Sequence, residues 1–72
     1  MKLEQEKFNI SMRKFLKKVG ITSQQKIEEV IKEEIKKATL NNDHVKVSVK
    51  LEIKEINLVH RVDGIIYLRD NL

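Results

Sequence analysis

The sequence predicts an α+β domain: two N-terminal amphipathic helices packed on a small C-terminal antiparallel sheet. Three observations predict it. Up to about Leu40 the apolar residues recur at helical spacing. From Val45 onward they alternate with period two, as on a strand with one buried face. Between these halves, Asn41-Asn42-Asp43 is a loop by composition. At 72 residues the chain is long enough for one domain, residues 1–72, with residues 1–7 as a polar lead-in.

The first helix is expected from about Asn9 to Val19. Phe8, Met12, Phe15, Leu16 and Val19 share one face at 3.6 residues per turn, and Arg13, Lys14, Lys17 and Lys18 share the opposite arc. Asn9 or Ser11 offers an N-cap oxygen, and Gly20 suits the left-handed residue that stops a helix. The second helix is expected from about Ser23 to Ala38, opened by Thr22 and Gln25 at capping-box spacing. Ile27, Val30, Ile31, Ile35 and Ala38 form its stripe. Glu28 with Lys32 and Glu33 with Lys37 charge its outer face.

In the second half, Val45, Val47, Val49, Leu51 and Ile53 alternate with polar residues, and Lys54-Glu55 supplies a turn. A second alternation follows: Ile56, Leu58, His60, Val62, Gly64, Ile66 and Leu68. Two readings stand at Asp63-Gly64. A tight turn there gives a three-stranded meander. An unbroken alternation gives a hairpin whose second strand is long, with a bulge at Gly64; the even-numbered spacing favours this reading. The odd face of that segment carries Val59, Ile65 and Tyr67. Two helices cover one face of a small sheet, so an apolar residue set on the other face predicts a homodimer through Val59, Ile65 and Tyr67.

Charge placement is informative. The net charge of +4 comes from 15 basic and 11 acidic residues, and all of it lies before residue 23. A basic face on the first helix suits an acidic protein or a nucleic acid. The expected partner site is Arg13, Lys14, Lys17 and Lys18.

Chemistry, by contrast, has few places to reside. With no cysteine, disulfides, zinc ribbons and thiol redox chemistry are excluded. His44 and His60 are too few for a histidine metal site. His60 sits among aliphatic residues and has no nucleophile at a recognisable elbow. The paired glutamates alternate with lysines, as solvated helix charges do, and two isolated glycines cannot build a phosphate loop. No catalytic residue, cofactor, metal or small-molecule substrate is expected, and the chain is not expected to be an enzyme. The opening MKLEQEKFNI lacks an apolar secretory core, and no run is long enough to span a membrane, so the expected location is the cytoplasm.

A helix, a glycine-containing turn and a helix opening Thr22-Ser23-Gln24-Gln25 also outline a helix-turn-helix with a β wing. Against this, the would-be recognition helix carries four glutamates, which phosphates repel.

The run from Phe8 to Gln24, FNISMRKFLKKVGITSQ, resembles the opening of a family of small uncharacterised bacterial proteins, mainly proteobacterial, classed as a domain of unknown function. Leu58-Val59-His60-Arg61-Val62-Asp63-Gly64 resembles that family's closing stretch. The resemblance implies a whole-chain domain in a bacterial cytoplasm. It marks Arg13, Lys14, Lys17, Lys18, Thr22, Ser23, Gln24, His60 and Asp63 as positions where function could reside, and it implies no activity or cofactor. The expectation that follows is a small, non-enzymatic, homodimeric binding protein, with nucleic-acid binding as the alternative.

Overall fold

The computed structural model describes residues 2–69. The architecture is α+β: one long helix, α1 (Gln5–Lys36), followed by an antiparallel hairpin of β1 (His44–Ile53) and β2 (Leu58–Tyr67). The chain divides into two compact units, one ending at Leu40 and one beginning at Asn41.

The two expected helices are a single helix of 32 residues. Gly20 has no positive φ and does not stop it. The Thr22 hydroxyl donates to the Lys18 carbonyl at 2.8 Å, one turn back, so Thr22 lies inside the helix and caps nothing. An interior glycine weakens a helix by only about 0.5–1 kcal/mol relative to alanine. Its immediate neighbours Val19, Ile21, Thr22 and Ser23 are weaker helix formers, but Lys17 and Lys18 before them and Gln24 to Lys26 after them are good ones, and no proline intervenes. The lead-in is also helical from Gln5. Asn9 and Ser11, the expected caps, lie within the first turns, where the Ser11 hydroxyl donates to the Lys7 carbonyl at 2.8 Å.

The left-handed stop is Ala38, at φ 59°. The Ala38 N–H donates to the Ile35 carbonyl at 3.0 Å and the Thr39 N–H to the Glu34 carbonyl at 3.1 Å. These two bonds form a Schellman motif, which satisfies carbonyls that the last helical turn leaves open. The Thr39 hydroxyl reinforces it, donating to the Glu34 carbonyl and to its carboxylate. Ala38 was expected as the helix's last apolar contact; it serves as its terminator.

The hairpin follows the period-two pattern closely. Its register pairs His44 with Tyr67 at the open end and Ile53 with Leu58 at the closed end, one residue to one throughout. Gly64 pairs with Val47 in this unbroken ladder, so β2 is one long strand without a bulge, and no turn forms at Asp63-Gly64. The connection is wider than Lys54-Glu55: a 3-10 turn over Lys54–Ile56, then Asn57 in the left-handed region at φ 53°. Asparagine tolerates that conformation better than other non-glycine residues. The Leu68 N–H donates to the Asp43 carbonyl at 2.7 Å, tying off the open end.

No side chain among the described residues is fully buried. Neither a lone helix nor a two-stranded ribbon has an interior, and an isolated hairpin is marginal in water. Each unit therefore presents an apolar face that needs covering.

Candidate binding surfaces

The hairpin sorts its residues onto two faces. One face carries Val45, Val47, Val49, Leu51 and Ile53 opposite Ile66, Gly64, Val62, His60 and Leu58. This is the hairpin's apolar face, with Val45, Val47, Leu51 and Ile66 half-buried. His60 lies on it opposite Leu51, surrounded by aliphatic positions. The other face carries Lys46, Ser48, Lys50 and Glu52 opposite Ile65, Asp63, Arg61 and Val59. Asp63 accepts from the Arg61 guanidinium at 3.0 Å, and Lys50 stands 3.7 Å from Glu52. A shallow depression around Lys46, Ser48, Arg61 and Asp63 is open to solvent.

The expected dimer residues, Val59, Ile65 and Tyr67, do share that polar face. They do not form one patch. Val59 stands opposite Glu52 and Ile65 opposite Lys46, with the Arg61–Asp63 pair between them. Tyr67 is 72% exposed at the open end, its ring 6.0 Å from that of His44. The strongly apolar surface of the hairpin is the opposite face, which is the one the alternation had already assigned to a core.

Arg13, Lys14, Lys17 and Lys18 all lie on α1, exposed, on the arc away from Phe8, Met12, Leu16 and Val19. Among the described residues none of the four forms a salt bridge; the helix's ion pair is Lys37 with Glu33 at 3.9 Å. Arg13 with Lys17 and Lys14 with Lys18 are like charges at i,i+4, and each such pair destabilises an isolated helix by roughly 0.2–0.5 kcal/mol. The second half of α1 is built the other way, with Glu28 four residues before Lys32 and Glu33 four before Lys37. The positive charge of the first half is thus uncompensated within its own helix.

Thr22, Ser23 and Gln24 continue α1 and open no second helix. The turn that a helix-turn-helix requires is absent, because Gly20 to Thr22 are helical. Gln24 donates to Glu28 at 3.1 Å along the helix surface. Among the described residues no group of three or more histidines, aspartates and glutamates is placed to hold a metal ion. No described helix is long and apolar enough to cross a membrane. Sequence reasoning missed how the two expected stripes join: once Gly20 is helical, Met12, Leu16, Val19, Ser23, Ile27 and Val30 share one face, whereas Phe8 and Ile35 lie about half a turn apart around the helix.

Residues 3–69 match a family of unknown function, DUF6494. Neither a curated protein nor a solved structure matches the chain.

Proposed function

The chain belongs to DUF6494, and we propose that it is a small, non-enzymatic, homodimeric binding protein of the bacterial cytoplasm whose basic arc meets an acidic protein. One observation supports this reading most: Arg13, Lys14, Lys17 and Lys18 are exposed on one arc of a rigid helix, repel one another at i,i+4, and lack the carboxylates that neutralise the helix's second half. An anionic partner relieves that repulsion. The arc is mid-helix, beyond the reach of the helix dipole, which acts only on the first and last turns. Its charge therefore serves neither end of the helix. The N-terminal motif and the closing Leu58–Gly64 stretch support the bacterial assignment.

The experiment is a binding titration with two probes, poly-glutamate and random-sequence duplex DNA. The expected result is binding to poly-glutamate that Lys14→Glu with Lys17→Glu abolishes, with helical content unchanged. Unchanged binding in that variant contradicts the reading. Tighter binding to duplex, falling steeply with added salt, replaces the acidic protein with nucleic acid as partner.

A further inference from the structure

We infer that the apolar stripe of α1 is a self-complementary interface, on which a second copy of the same helix lies antiparallel with Ser23 at the twofold axis. This inference rests on the homodimer reading above and replaces the hairpin's polar face, with Val59, Ile65 and Tyr67, as the surface that makes the dimer.

The spacing carries it. Seam positions 12, 16, 19, 23, 27, 30 and 34 are separated by 4, 3, 4, 4, 3 and 4 residues, which reads the same in both directions from Ser23. An antiparallel copy reverses the chain, so this pattern meets itself. Val19 comes level with Ile27 of the second copy and Leu16 with Val30. At the centre two Ser23 residues face each other, small enough for close approach and each carrying a hydroxyl for the other. Met12 comes level with Glu34, whose methylenes lie along the thioether while its carboxylate lies level with Arg13. The pattern repeats after 11 residues, from Met12 to Ser23 to Glu34. Eleven residues in three turns is close to the period of a straight helix, so such helices lie alongside each other with little supercoiling. A strict seven-residue repeat would instead place Lys26 and Glu33 in the seam.

Charge selects the orientation. Reversal about Ser23 brings Lys17 beside Glu28 and Lys18 beside Glu29 of the second copy, each pair on one flank of the contact and one residue off level. A parallel, in-register pair instead brings Lys17 beside Lys18 and Glu28 beside Glu29. The basic residues lie outside the seam, on sides of the helix turned from the contact, and salt screens exposed charges over about 8 Å. They therefore decide direction rather than supply affinity, and the outer arc stays available to an acidic partner.

The test is disulfide trapping in the full chain, which has no cysteine of its own. A cystine requires Cα atoms about 4.4–6.8 Å apart. Ser23→Cys is expected to oxidise to a covalent dimer. Leu16→Cys alone is expected to stay monomeric on a non-reducing gel, since its two copies lie roughly 21 Å apart along the axis. Mixing Leu16→Cys with Val30→Cys is expected to restore the crosslink. Self-crosslinking of Leu16→Cys overturns the antiparallel arrangement. An uncrosslinked Ser23→Cys in a protein of dimeric mass overturns this interface alone and returns the dimer to the hairpin. A monomeric mass overturns both the interface and the homodimer reading.

Discussion

Two residues of the helix exchange the roles their types suggest. Gly20, the residue best suited to a left-handed stop, is helical, and Ala38, a strong helix former, takes the stop. The Schellman bonds to Ile35 and Glu34 fix the position of that stop, so alanine bears the left-handed strain of about 1–2 kcal/mol that glycine would avoid. Both glycine exchanges are therefore expected to stabilise. Gly20→Ala, where an added methyl meets nothing within 4 Å, should raise the thermal midpoint. Ala38→Gly should raise it too, each by about 4–8 °C if each is worth about 1 kcal/mol. A lowered midpoint for Gly20→Ala would indicate a broken helix at that residue. The sequence could not settle this because glycine is compatible with both states. The deciding factor is the helix-forming flank on either side, an element-scale property.

At the scale of elements the hairpin was the legible part. Strict alternation from Val45 to Ile53 and from Leu58 to Ile66 fixes which face is apolar, and a one-residue slip would turn every side chain over. Asp63-Gly64 looked like a turn in isolation; the even-numbered spacing through it outweighed the dipeptide. The turn was legible at Lys54-Glu55 but not in its width, because its left-handed residue, Asn57, lies three residues beyond Lys54 and reads as one more polar residue. Gly64 opposite Val47 leaves a gap in the apolar face, with open space around an added Cβ. Gly64→Val is expected to stabilise the ribbon by roughly 0.2–1 kcal/mol through the new cross-strand pair. Chemical denaturation checks it. Destabilisation would mean that another backbone approaches closely at Gly64. The helix was legible in its composition and not in its length. Reading a break at Gly20 divided one stripe into two unrelated ones and hid the symmetry about Ser23.

For the whole molecule, the governing fact is two units with apolar faces and no fully buried side chain among the described residues. Chains of this size are marginal even with a good core, and natural ones add disulfides, metals or a second copy. Without cysteine the first is closed. The basic arc was readable residue by residue, because charge needs no fold to be counted. Its status as one exposed surface on an unbroken helix needed the structure. In the proposed dimer a second copy covers the apolar side of the helix and leaves the basic side facing outward, with assembly and partner binding on opposite arcs of the same element.

Light scattering of the unmodified chain, across a concentration series in moderate salt, tests this account most directly. The account predicts a dimeric mass that persists on dilution until the concentration falls to the dissociation constant. A monomeric mass at every concentration would contradict it.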